Sequence, residues 1–340
     1  MKSAVFYEKG NIRIENIAVP DVRPDEVLVK VMACGICGTD VHIFDGDEGA
    51  AATPPGTVLG HEFSGIVVET GESTDGICVG DRVCIDPNLP CGKCYYCRKG
   101  LNHFCENIVG IGTTVNGGFS QYCAVPQSQI YKIADTTSFE EAAMAEPVSC
   151  CLHGIDLCNI QTDDTVAVIG CGMIGLIMIQ LAKTAGAAKV IAIEPEKAKR
   201  ELAQNLGASL CIDPNDKDAE KMLYENFSIT KVIECVGKIE TMEQAVHLAG
   251  KKATVMFFGL CAPNDILNIK PFEIFKKELT IKSSYINPYT QQRAVEMIDS
   301  KRIDVKSMIY SVEKLEALPQ ILSDRNLRRK GKFIIGGNAE

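Results

Sequence analysis

The sequence predicts an α/β protein in two parts, a β-rich, barrel-like domain followed by a doubly wound parallel sheet. Two patterns carry this. Early in the chain, short runs rich in Val, Ile and Tyr are broken by Gly, Pro and Asp, as strands and turns are. From Thr165 onward, continuous apolar strands alternate with helical segments, as in a parallel sheet covered on both faces. The first part contains Ser3-Ala-Val-Phe-Tyr, Ile12-Arg-Ile, Glu26-Val-Leu-Val-Lys-Val-Met-Ala, Gly65-Ile-Val-Val-Glu and Asp81-Arg-Val-Cys-Ile. Gly117-Gly-Phe-Ser-Gln-Tyr-Cys-Ala-Val returns to strand. Residues 138–156 read as helix, with Ser138 as cap and Glu140 and Glu141 in the first turn.

Six apolar strands are expected in the second part, beginning at Thr165, Val190, Leu210, Lys231, Ala253 and Leu279. Helices are expected over Ile174–Ala185 and Pro195–Leu206. The tail from about Thr290 reads as a helix over Gln292–Ser300, then mixed structure ending in Gly331-Lys-Phe-Ile-Ile-Gly. It is expected to rejoin the first domain.

Composition excludes several function classes. The 340 residues suffice for two cores, and a hydrophobic share of 46% with 23% charged residues is that of an ordinary soluble protein. A net charge of −9 and the lack of a Lys/Arg block of the necessary length argue against nucleic acid as main partner. The longest uncharged run, Val166–Ala182, falls short of a membrane span and holds three glycines. Sixteen Cys with no apolar signal core near the N-terminus favour a cytoplasmic protein whose thiols serve as metal ligands or core residues.

Three motifs carry chemistry. Residues 35–62 supply a thiolate (Cys37), an imidazole (His61) and a carboxylate (Glu62), with Thr39 and His42 close to the first. A catalytic zinc wants about three protein ligands and one open position. The bland alternative is a buried Cys and a turn-capping His. Next, Cys91, Cys94, Cys97 and Cys105 form C-x2-C-x2-C-x7-C in a polar loop. Four thiolates suit a closed, structural zinc site, with an iron–sulfur cluster as the metal alternative. Last, Gly170-Cys-Gly-Met-Ile-Gly follows a strand and opens a helix, with Glu194 at the end of the next strand. That arrangement suits a dinucleotide. Gly170 permits the tight turn. Gly172, Met173 and Ile174 lie where the pyrophosphate meets a helix N-terminus, and Gly175 allows close helix–strand packing. The glycines alone would also fit a merely tight packing. Glu194 suits the ribose hydroxyls of NAD and would repel the 2′-phosphate of NADP, although Lys197, Lys199 and Arg200 are cations near that corner.

Gly35-Ile-Cys-Gly-Thr-Asp-Val-His, Gly60-His-Glu-Phe-Ser-Gly, the four cysteines, Ala145-Glu-Pro-Val-Ser and Gly170-Cys-Gly-Met-Ile-Gly stand in this order. Over essentially its full length the chain resembles the zinc-dependent medium-chain dehydrogenase/reductase family. It looks most like the polyol (sorbitol/arabinitol-type) and threonine dehydrogenase branch. The resemblance implies a GroES-like catalytic domain over 1–147 and 290–340, a Rossmann NAD-binding domain over 148–289, and a tetramer or dimer. It also implies a zinc-assisted oxidation of a secondary hydroxyl with hydride transfer to NAD. Cys37, His61 and Glu62 match the catalytic zinc ligands, and Glu146 the acid that reaches the zinc directly or through water. Thr39 matches the hydroxyl contacting the alcohol, and His42 the proton relay. The expected cofactors are two Zn2+ per chain and NAD, and the expected partner is a small alcohol or polyol. Ser284-Tyr285 stands where animal sorbitol dehydrogenases carry Arg-Tyr, which turns the expectation from sorbitol towards related polyols. L-Threonine and a sugar-alcohol phosphate such as galactitol 1-phosphate are the other candidate substrates. Superfamily members that lost the metal, such as quinone reductases and crystallin-like proteins, usually lack these ligand positions, all of which are present here.

Overall fold

The computed structural model describes residues 1–46 and 52–336. Residues 47–51 and 337–340, within the expected first domain, lie outside the described residues. The chain divides into two compact units, Met1–Ser149 with Asn287–Glu340, and Cys150–Ile286.

The first unit is built on two larger sheets, beside a two-stranded one that pairs Asn88–Leu89 with Val109–Gly110. In the larger, the strands lie in the order Ile130–Lys132, Arg82–Ile85, Glu62–Thr70, Glu26–Gly35, Lys332–Gly336 and Ile309–Glu313, with Tyr122–Pro126 also paired to Glu26–Gly35. The smaller orders Asn11–Asn16, Lys2–Glu8 and Thr57–Val58. Val5, Phe6 and Val58 of the small sheet share one apolar core with Val27, Val29, Phe63 and Ile335 of the large one. The barrel-like expectation thus takes the form of two sheets on a common core. Register shifts between Leu28 and Val29 and between Val31 and Ala33 mark irregularities along the longest strand, the local breaks that bend a sheet. The C-terminal strand Lys332–Gly336 is buried throughout and pairs with Glu26–Gly35.

A single helix over 138–156 is not what forms. Ser138 caps Phe139–Ala142, its hydroxyl accepting the Glu141 N–H, and a second helix runs Ala145–Cys158. Pro147 explains the restart. Inside a continuous helix it would delete a backbone hydrogen bond and clash with the preceding turn, but in a first turn it is tolerated. Residues 148, 149 and 287–289 belong to the first unit. Ser149 and Asn287 are tied into it by hydrogen bonds: Asn287 Nδ2 to Ser149 Oγ at 3.1 Å, and Thr290 Oγ1 to the Ser149 carbonyl at 2.8 Å.

The second unit holds a six-stranded parallel sheet ordered Leu210–Ile212, Lys189–Ile193, Thr165–Ile169, Lys231–Glu234, Thr254–Phe257 and Thr280–Ser283. The order reverses beside the first of these strands in the sequence. In such open sheets a ligand sits beyond the carboxyl ends of the strands at that reversal. No helix among the described residues is long and apolar enough to cross a membrane.

Candidate active site, structural metal lobe and dinucleotide loop

The ligand atoms of Cys37, His61 and Glu62 all lie within 4.8 Å of one another. Sheet pairing brings two of these positions together: Glu62 opens the strand Glu62–Thr70 opposite Gly35, the last residue of Glu26–Gly35, and His61 immediately precedes it. Cys37 caps the helix Gly38–Asp45 just beyond that same strand. The cap is held by Asp40, whose Oδ2 accepts the Cys37 N–H at 2.8 Å.

The buried polar atoms test whether this pocket suits a cation. Oε1 of Glu62 is fully buried without a hydrogen-bond partner among the described residues. Nδ1 of His61 faces Asp40 Oδ1 at 3.4 Å, which leaves the other ring nitrogen for a metal. A carboxylate behind a ligating imidazole fixes its tautomer and raises its basicity. Burial works against a protonated His61, but the charges of Asp40 and Cys37 lift its pKa well above the ordinary value. An imidazole surrounded by anions with an unpartnered carboxylate oxygen beside it is a place for positive charge, and S, N and O donors suit zinc. The residues fit.

Thr39 is exposed, with its hydroxyl 3.8 Å from the Cys37 sulfur. His42 is exposed three positions further along the same helix, a spacing that sets two side chains on one face. Glu146 is buried in the first turn of Ala145–Cys158 and does not come within 4.8 Å of all three donors. Two buried charged positions beside this cluster do not figure among the sequence-predicted site residues. Asp40 carried a readable signal, an acid three residues after a helix cap. Lys332 carried none. It closes the basic run Arg328-Arg329-Lys330-Gly331-Lys332 at the start of an apolar strand, yet its buried ammonium is paired with Glu62 Oε2 and donates to the Ile36 carbonyl at 2.8 Å. Burial alone would lower the Lys332 pKa, but the Glu62 carboxylate raises it.

The ligand atoms of Cys91, Cys94, Cys97 and Cys105 also lie within 4.8 Å of one another. Cys94 and Cys97 sulfurs are 3.5 Å apart, close to the edge of about 3.8 Å expected for a tetrahedron of Zn–S bonds. The N–H groups of Cys91 and Asn107 point at the Cys105 sulfur at 3.2 and 3.4 Å. Backbone N–H groups of Lys93 and Cys94 pull the Cys91 thiol down to about 6, and those of Cys97 and Glu106 lower Cys94. Burial and the neighbouring Cys94 and Cys105 sulfurs push the Cys97 thiol the other way, up to about 12, a crowding of sulfurs that a bound cation would relieve. Four thiolates on one ion would leave no open position.

In the second unit, Gly170 ends the strand Thr165–Ile169 with φ of +90°, a conformation that favours glycine. Gly172 caps the helix Met173–Thr184. A Cβ on Gly175 would stand 1.8 Å from the Gly170 carbonyl oxygen, so only glycine lets this helix begin against the strand. Met173 and Ile174 form the helix's opening turn and are half-buried. Glu194 follows Lys189–Ile193, its carboxylate accepting the Cys171 N–H at 2.8 Å and the Glu196 N–H at 3.0 Å. The nearby cations are engaged: Arg200 with the Glu194 and Pro195 carbonyls and with Asp213, Lys199 with Glu196, and Lys197 with Glu201.

A unit with one open and one closed metal-ligand cluster, and a unit with a dinucleotide loop, define a metal-dependent, nucleotide-linked oxidoreductase. Comparison with known proteins agrees. Residues 23–135 match the alcohol dehydrogenase GroES-like domain and residues 174–300 the zinc-binding dehydrogenase domain. The chain is 33% identical to the sorbitol dehydrogenase of Bacillus subtilis, over 96% of this chain and 95% of that one. It is 36% identical to an L-threonine 3-dehydrogenase of Caldanaerobacter subterraneus subsp. tengcongensis over 84% of each. A protein from Sinorhizobium meliloti 1021 assigned as a zinc-binding dehydrogenase, crystallised with NADP, superposes with a TM-score of 0.94 at 37% identity over 99% of both chains. This chain belongs to the zinc-dependent alcohol dehydrogenase family of medium-chain dehydrogenases, in its polyol branch, and is an enzyme.

Proposed function

We propose that this enzyme oxidises a secondary hydroxyl of a free polyol of the sorbitol, arabinitol or xylitol kind to the ketone, with NAD as hydride acceptor. The observation that carries the reading is the convergence of Cys37, His61 and Glu62 beside the Thr39 hydroxyl. Zinc bound there would supply Lewis acidity that lowers the pKa of the substrate hydroxyl, and bound NAD would supply the acceptor for its hydride. Cys37, His61 and Glu62 hold the metal. Glu146, buried in the same unit, is proposed as a further acid for it. Thr39 accepts the departing proton and His42, exposed on the same helix, passes it to solvent, work that suits an imidazole.

NAD is favoured because Glu194 is fixed by two backbone N–H groups at the strand end, where ribose hydroxyls can donate to it. Arg200 is committed to the Glu194 and Pro195 carbonyls and to Asp213, which draws its charge away from a 2′-phosphate. A polyol is favoured by the anionic donor set and by the similarity to sorbitol dehydrogenase. L-Threonine is the second reading, carried by the relative named for it. A homo-oligomer, a tetramer or dimer, in the cytoplasm completes the proposal. Thr280–Ser283 ends its sheet, and Leu260, Ile266, Phe272 and Phe275 in the same unit are 71–80% exposed, an apolar surface of the kind subunits cover.

The test is NADH formation by zinc-loaded protein on D- and L-arabinitol, xylitol, sorbitol, galactitol, galactitol 1-phosphate and L-threonine, each with NAD and NADP. Turnover of free polyols with NAD is expected. Turnover of threonine or the phosphate alone would overturn the substrate.

A further inference from the structure

Three neighbouring strands meet at Gly35, which is paired with Glu62 on one side and with Ile334 on the other. Lys332 lies two residues before Ile334 and so leaves the sheet on the same face. Its side chain passes Gly35 to reach Glu62 Oε2. Gly35 makes that passage possible, because a Cβ there would stand 2.3 Å from Oε2 and 2.8 Å from Lys332 Cε. Lys332 is 3% exposed and Glu62 0%.

A buried ion pair of this kind is weak evidence for stability, since desolvating both charges offsets much of their attraction. Its position suggests another role. Glu62 is one of the three donors of the candidate catalytic cluster, and of its two oxygens only Oε1 is left without a partner. A carboxylate can ligate through one oxygen or two, and a second bond would fill the position that a catalytic site keeps for substrate.

We propose that Lys332 is a positioning residue for the catalytic metal, holding Glu62 Oε2 so that the carboxylate offers the metal one oxygen and a coordination position stays open. This rests on the assignment of Cys37, His61 and Glu62 as metal ligands. Gly35 and the C-terminal strand are then parts of the active site, joined to it through Lys332.

The experiment uses the full chain with zinc at the four cysteines and cobalt(II) exchanged into the second site. Four-coordinate cobalt(II) has no centre of symmetry and absorbs strongly in the visible, whereas added ligands weaken the band. Lys332→Met is expected to retain about one cobalt per chain but lose most of the band, as Oε2 turns to the metal. Lys332→Arg, which keeps the charge and the donors, is expected to restore it. Lys332→Gln serves as second variant if Lys332→Met does not fold. A band unchanged in both uncharged variants would overturn the positioning role and leave Lys332 as packing. Wild-type protein that takes metal only at the four cysteines would overturn the site assignment itself, a distinct failure.

Discussion

Replacing Asp86 by Asn should stabilise the protein at neutral pH and leave it unchanged in acid. Asp86 follows the strand Arg82–Ile85 and is 9% exposed. Its Oδ1 accepts the Asn88 N–H at 3.0 Å and an Asn287 amide hydrogen at 3.3 Å. Burial outweighs those bonds and raises its pKa from 3.8 to about 6. The rise of about 2 units corresponds to about 3 kcal/mol. In the unfolded chain the carboxyl ionises first. The native state therefore binds more protons between the two pKa values, and stability falls as pH rises from about 4 to about 6 before levelling off. Asn keeps the Oδ1 acceptor and carries no charge, so the variant escapes that loss. Urea unfolding of metal-loaded wild type and Asp86→Asn, at steps from about pH 5 to pH 8, isolates the effect, because other titrations cancel in the difference. The difference should grow between pH 5 and 6 and then hold near 3 kcal/mol. A difference that does not vary with pH would refute the reasoning.

Three further outcomes are expected. Cys94→Ser should lower metal content by about one per chain and loosen the cysteine lobe, read as faster proteolysis there, while the catalytic metal stays. Gly175→Ala, whose Cβ would meet the Gly170 carbonyl at 1.8 Å, should abolish dinucleotide binding in a titration of cofactor fluorescence without altering metal content. Glu194→Ala should weaken NAD about tenfold or more, since a hydrogen bond to a charged acceptor is worth about 1.5–3 kcal/mol, and should narrow the NAD/NADP ratio in KM; an unchanged ratio would place cofactor choice elsewhere.

Local pattern determined much of this protein. The four central parallel strands could be read because each is a short buried apolar run between helical segments, as strands covered on both faces are. The four cysteines and the glycine loop could be read because their partners lie within one loop or one turn, so spacing in sequence is spacing in space. The division of residues 138–158 into two helices depended on Pro147, whose effect is equally local.

The remaining contacts join residues far apart in the chain. Lys332 lies 270 positions from Glu62, and nothing in Lys332-Phe-Ile-Ile-Gly marks it as the partner of a metal ligand. That pairing exists because the C-terminal strand joins the first sheet beside Gly35, and a register is a property of two strands together. Asn287 and Ser149 belong to the first unit for the same reason, through hydrogen bonds that close over a separation of 138 residues. Spacing along the chain was enough to pick out the donor clusters that the fold then brings together. The fold decided which charges stand behind them, because burial and long-range pairing set the electrostatic environment of a side chain and neither is encoded in its immediate neighbours.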